Sequence, residues 1–126
     1  MRDYQPRRNP YYLEHTLYRR VLALVRDYPR MVKLREAIIY ESPCGSGGKG
    51  GPGRPTESKA LRMAVLDDDI RAVERAAERI PREYRQGVLD NLLLGRRMDD
   101  LPGARSTWSR WRGRFLWYVA KNRHWL

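Results

Sequence analysis

The chain is poor in the residues that do chemistry. Its single cysteine, Cys44, excludes an intramolecular disulfide and fits a reducing compartment. The two histidines, His15 and His124, stand near opposite ends, with no cysteine or carboxylate at metal-ligand spacing beside them. No nucleophile motif is present. The expectation is therefore a protein that is not an enzyme and needs no cofactor or metal. No apolar run approaches the roughly 18 residues of a membrane span. Residues 1–8, Met-Arg-Asp-Tyr-Gln-Pro-Arg-Arg, lack the apolar core of a signal peptide. A soluble, cytoplasmic protein with no membrane partner is expected.

Positive charge, by contrast, is abundant. The 126 residues carry 26 Lys and Arg against 15 Asp and Glu, a formal net charge of +11. Residues 1–42 hold nine basic against five acidic groups, and residues 43–94 hold nine against eight. Residues 95–126 hold eight against two, so +6 of the excess falls in the last quarter. A concentrated basic field favours polyanions through counterion release and steering. A general arginine bias would give the same total but not this clustering.

The cluster coincides with a helical pattern. From Arg105 to Lys121, Trp108, Trp111, Phe115, Tyr118 and Val119 share one helix face. The opposite face collects Ser106, Arg110, Gly113, Arg114, Trp117 and Lys121, and Arg112 stands at the edge of the apolar stripe. Ser106 or Thr107 is expected to cap the first turn. Upstream, Pro81 suits the opening of a helix whose stripe is Tyr84, Val88, Leu89 and Leu92. Gly95 is placed to stop that helix in a left-handed conformation. The acidic, Pro/Gly-punctuated connector from Gly95 to Arg105 is longer than a minimal helix-turn-helix turn, with room for a short extra turn around Met98 to Leu101. Residues 81–123 thus read as an elaborated helix-turn-helix. Trp117, in the middle of the basic face, either touches DNA or packs against the N-terminal hairpin or a partner subunit.

The rest of the chain reads as helices around a tether. Pro10 to about Asp27 carries Leu13, Leu17, Val21, Leu24 and Tyr28 on one side, and Tyr28-Pro29 ends it. A shorter helix, about Arg30 to Glu41, completes a hairpin over residues 1–42. Residues 43–55 hold six glycines between Gly45 and Gly53, a flexible linker. Within it, Gly45-Ser46-Gly47-Gly48-Lys49 imitates a phosphate loop. Pro43 occupies the position of the first glycine, Gly50 that of the Ser/Thr, and no strand precedes it. Thr56 then caps a long helix to about Ile80. Its seam of Met63, Leu66, Ile70, Val73, Ala77 and Ile80 runs at heptad spacing. That seam either packs against the C-terminal helices or pairs with a second copy as a homodimer. Asp67-Asp68-Asp69 point about 100° apart and form a solvated face rather than a metal site.

Three features together resemble a known family: the hairpin with Asp27-Tyr28-Pro29, then Pro55-Thr56-Glu57-Ser58-Lys59-Ala60 opening the long helix, and Ser106-Thr107-Trp108-Ser109-Arg110-Trp111-Arg112 running into Phe115-Leu116-Trp117-Tyr118-Val119-Ala120. The chain is similar to the RinA/ArpU-type phage transcriptional regulators over nearly its whole length, through motifs of moderate specificity, with Trp108 at the family's aromatic position. The resemblance implies an activator of phage late genes in the bacterial host cytoplasm, with a C-terminal part like region 4 of primary sigma factors.

The expected fold is all-α: hairpin 1–42, linker 43–55, and a helical DNA-binding domain 56–126. The expected function is sequence-specific binding of double-stranded DNA in transcription regulation, with RNA polymerase a possible partner. Arg105, Ser106, Thr107, Ser109 and Arg110 are the candidates for base edges and nearby phosphates, and Arg112, Arg114, Lys121, Arg96 and Arg97 for phosphates. Two other classes fit the same features. One is a small-terminase-like packaging protein, and the other is a polymerase-binding adaptor with little DNA affinity.

Overall fold

The computed structural model describes residues 9–40 and 54–126, with side chains in the long helix from residue 58 onward. The tether, with Cys44 and the phosphate-loop imitation, lies outside the described residues. Among the described residues there are five α-helices, one 3₁₀ turn and no strand. The all-α expectation holds.

Helix α1 spans His15–Arg26 rather than opening at Pro10. Asn9 folds the preceding residues into a turn, its side-chain oxygen accepting from the Tyr11 N–H at 2.9 Å and its carbonyl from the Tyr12 N–H at 3.0 Å. Glu14 then caps α1, Oε2 accepting from the Thr16 and Leu17 N–H groups at 3.1 and 3.2 Å. Those two bonds, Thr16 first, hold the Glu14 carboxyl below its ordinary pKa. Only Asp27 separates α1 from α2 (Tyr28–Ile39). Pro29 has no N–H to continue α1, yet it is tolerated in the first turn of α2. The break expected at Tyr28-Pro29 is present, one residue earlier.

Helix α3 (Arg54–Glu78) begins two residues before Thr56, which therefore lies inside the first turn and is not its cap. Its seam is covered within the chain. Leu66 and Ile70 pack with Met31 and Ile38 of α2 in a small cluster. Farther along, Val73 and Ile80 join the main core, in which Ala72 and Ala76 are also buried. Asp67 and Asp69 serve two different neighbours. Asp67 pairs with Arg35 of α2 at 3.1 Å, and Asp69 with Arg123 beyond the last helix at 2.9 Å.

Helix α4 (Arg82–Leu94) starts just after Pro81, which occupies the cap position. Arg85 reaches back to close α3, its Nη2 donating to the Ile80 carbonyl at 3.1 Å. Gly95 ends α4 at φ 74°, as expected of a left-handed stop, and the Arg96 N–H closes onto the Asp90 carbonyl at 3.1 Å. The short extra turn is a 3₁₀ turn at Met98–Asp100, and Gly103 (φ 98°) makes the last bend before α5 (Arg105–Asn122).

The main core is built around α5. Phe115, Leu116, Val119 and Ala120 meet Leu13, Tyr18, Val21 and Val25 from the α1 region and Val88 and Leu92 from α4. At roughly 25 cal/mol per Å² of buried apolar surface, burial of these aromatic and aliphatic groups is a main contribution to holding the helices together. Asn122 anchors the far end of α5, its Nδ2 donating to the Ala72 carbonyl of α3 at 3.0 Å.

Candidate nucleic-acid interface

The buried face of α5 is not the one expected from its aromatics. It comprises Trp108, Arg112, Phe115, Leu116, Val119 and Ala120, while Trp111 and Tyr118 are half-buried at its edge. At about 100° per residue the buried face is turned by roughly 70° from the aromatic stripe and centres on Arg112.

Arg112 is accordingly the main correction. Expected at a phosphate, it is 9% exposed. Its Nε donates to Asn91 Oδ1 at 2.9 Å and its Nη1 to the Tyr18 hydroxyl at 2.6 Å. Asn91 also donates Nδ2 to the Arg96 carbonyl at 2.8 Å. One guanidinium thus joins α5 to α4 and α1, and through Asn91 to the connector. A buried charge is tolerated only when hydrogen-bonded, and these acceptors are why the helix turns this way.

Trp108 fixes the height of α5 against α4. Its indole N–H donates to the Pro102 carbonyl at 2.9 Å, and its ring lies edge-on to Tyr84 at 5.3 Å. It also lies directly over Gly87. A Cβ at Gly87 would come within 2.5 and 2.6 Å of Trp108 ring carbons. The Ser106 or Thr107 cap is not formed. Ala104 occupies the cap position without a side-chain hydrogen bond, so both residues lie within the first turn.

The remaining candidates divide into three groups. Ser106, Ser109, Arg110 and Lys121 are exposed, and Thr107 is half-buried. With Gly113, which has open space around it, Ser106 and Ser109 make a low outer surface beside Arg110. Arg114 is half-buried, its guanidinium 4.7 Å from the Tyr11 ring centre and 4.9 Å from that of Trp111. Tyr84 also stacks on Trp111, with ring centres 5.7 Å apart. Lys121 sits 5.1 Å from the Trp117 ring. Trp117 itself packs edge-on against Tyr11 at 5.3 Å, so the chain's own N-terminal segment covers part of it.

Arg96, Arg97 and Arg105 are exposed beside the first turn of α5. Arg96 shares Asp90 at 3.5 Å, and Arg97 and Arg105 both approach Asp99 at 3.6 Å. These are long contacts, and exposed pairs of this kind contribute little. The structure therefore gathers basic groups at one end of α5 and along its outer side. It withdraws Arg112 from that set.

Sequence reasoning missed Asn91 and Arg26. Asn91 gave one faint signal, a polar residue directly before the apolar Leu92-Leu93-Leu94. Arg26, in the last turn of α1, gave none, because only tertiary packing brings it to the connector. Comparison with family models, curated proteins and solved structures finds no match to this chain.

Proposed function

We propose that the protein binds double-stranded DNA, laying the outer side of α5 in the major groove, and acts as a sequence-specific regulator of phage genes. The carrying observation is the outer side of α5. Arg110 stands there among Ser106, Ser109 and Gly113, with Arg96, Arg97 and Arg105 grouped at the helix start. A groove-reading helix needs this combination. Small side chains let the backbone approach, a guanidinium can engage guanine O6 and N7, and flanking cations hold phosphates. The excess of eight basic over two acidic groups in residues 95–126 supports the reading. So does the resemblance to RinA/ArpU-type regulators, in which α4 and α5 stand for the two helices of a sigma region 4-like helix-turn-helix.

The test is a binding titration at two salt concentrations, with the gene's own flanking DNA as probe and scrambled duplex as competitor. Binding that survives the competitor and falls steeply with salt is expected; weak binding equal on both sequences refutes the proposal. Arg110→Ala should cost about 1–3 kcal/mol and relax preference at one base pair, while Lys121→Ala should weaken all duplexes alike.

One observation favours the packaging reading instead. Leu61 and Val65 of α3 and Leu34 of α2 leave an exposed apolar strip on which copies could associate. A ring-sized oligomer in solution would favour that function, and a monomer or dimer the regulator.

A further inference from the structure

Helix α3 carries an arginine at every fourth position toward its end, Arg71 and Arg75 within it and Arg79 just beyond. All three are exposed. At about 1.5 Å per residue they stand roughly 6 Å apart, a row about 12 Å long on one ridge. The buried side of α3 is formed by Leu66, Ile70, Ala72, Val73 and Ala76, so packing does not call for arginine on this ridge. Like charges four residues apart also weaken a helix slightly.

Tertiary contacts place the row beside the second half of α5. The Arg79 guanidinium lies 4.6 Å from the Tyr118 ring centre, and the same ring meets Tyr11 at 6.1 Å. Tyr11 in turn holds Arg114, so Arg79 continues the cationic outer side of α5 onto α3. At the far end Asn122 is tied to the Ala72 carbonyl at 3.0 Å, and a cleft of about 340 Å³ opens between the helices. Arg71, Arg75 and Asp68 line it from α3, and Arg123 and His124 from the end of α5. Asp69 holds Arg123 in place at 2.9 Å.

We infer that Arg71, Arg75 and Arg79 form a second track for the sugar-phosphate backbone of duplex DNA, flanking the groove that α5 enters. The inference rests on the DNA-binding reading and extends it from α5 to α3. With 18 residues α5 is about 27 Å long, while the major groove is about 12 Å wide. Elements beside both ends of α5 therefore face the phosphate walls. Arg96, Arg97 and Arg105 stand at its start, and the α3 row stands beside its end. A strand with a phosphate about every 3.4 Å of helix axis fits an extended row of cations. Asp68 lines the same cleft and opposes an approaching phosphate, so removing it acts in the opposite sense to removing an arginine.

The full chain is titrated with its own flanking duplex and with scrambled duplex over a range of salt. Arg71→Ala, Arg75→Ala and Asp68→Asn are compared with Lys33→Ala, which removes one exposed charge from α2. The arginines are exposed, and the thermal unfolding midpoint checks that the fold is intact. Each arginine variant should lower the slope of log affinity against log salt by about one, equally on both duplexes. Lys33→Ala should leave the slope unchanged, and Asp68→Asn should tighten binding to both duplexes. If both duplexes bind alike and the arginine variants still lower the slope, the track stands and sequence-specific reading fails. The track alone is overturned if wild type binds its duplex but both arginine variants match Lys33→Ala, or if Asp68→Asn brings no gain. If wild type binds neither duplex, the DNA-binding reading fails and the track falls with it.

Discussion

Gly87→Ala is the sharpest test of how α5 is seated. A helix-interior Gly-to-Ala change ordinarily stabilises by roughly 1 kcal/mol, through lower backbone entropy in the unfolded chain and better helix propensity. Here the new methyl would lie 2.5 Å from one Trp108 ring carbon and 2.6 Å from another, where ordinary contact needs at least about an ångström more. Trp108 cannot swing aside freely. Its ring is buried, its N–H is tied to the Pro102 carbonyl, and Tyr84 stands against it. Overpacking of this kind costs typically 1–3 kcal/mol, and loss of the indole hydrogen bond adds about 1 kcal/mol. Taking the upper end and subtracting the propensity gain leaves about 2–3 kcal/mol of net destabilisation. For a chain of this size that lowers the thermal midpoint by roughly 6–12 °C. Thermal unfolding followed by far-ultraviolet circular dichroism measures it. Gly113→Ala is the matched control in α5, because no atom beyond its own stretch of helix backbone lies within 4 Å of its new Cβ. It should raise the midpoint by a few degrees, reflecting up to about 1 kcal/mol. A Gly87→Ala protein as stable as the wild type, or more so, would refute the close seating of Trp108 on α4.

Two further predictions separate structural from functional groups. Arg112→Ala should destabilise by about 2–4 kcal/mol, because it removes the hydrogen bonds that tie α5 to Asn91 and Tyr18 and opens a buried space. Chemical denaturation reads this, and an unchanged midpoint together with lost DNA affinity would restore Arg112 to the phosphate contacts. Tyr28 gives a pH dependence: burial first, then its hydrogen bond to Glu74 at 2.8 Å, pushes its hydroxyl up to about 12. Because the folded value exceeds the ordinary one of about 10, its contribution to stability is complete below pH ~10 and is lost as pH rises from about 10 to 12. Tyr28→Phe should flatten that part of the alkaline stability profile, and an identical profile in the variant would contradict the assignment.

Local signals carried much of the fold. Pro29 marked the end of α1, Gly95 marked the end of α4, and the heptad seam of α3 marked its buried face, all through rules that act within a few residues. The failures share a different cause. Caps at Ser106 and Thr56 were expected from residue type. The helices begin earlier in the chain, at Arg54 and at Arg105, so both residues lie inside the first turn, and residue type alone does not set the boundary. The roll of α5 departs from its hydrophobic periodicity for a similar reason. Periodicity weighs Trp111 and Tyr118 as the most apolar groups and Arg112 as a surface charge. It has no means of knowing that Tyr18, 94 positions away in sequence, and Asn91 provide acceptors inside. Half-buried aromatics at the edge then take up other work. Trp111 stacks with Tyr84 and faces Arg114, while Trp117 and Tyr118 close over Tyr11.

On the proposed DNA-binding reading, the corrected roll changes which arginines are available to a duplex. With Arg112 at the centre of the buried face, Arg110 points nearly away from the core, and Arg114 is held between rings beside it. The two therefore differ in freedom. Arg110, exposed and about 5.9 Å from the Trp111 ring centre, keeps the reach that a base contact requires. Arg114 is preoriented by Tyr11 and Trp111, which suits a fixed phosphate contact, since less side-chain entropy is lost on binding. The N-terminal segment enters the same account. Tyr11 holds Arg114 and Tyr18 holds Arg112, so residues before the tether shape two of the basic groups of α5. Whatever displaces α1 therefore alters the charged surface of α5 directly. On the proposed DNA-binding reading, that would give the hairpin a physical route to influence binding without touching the duplex.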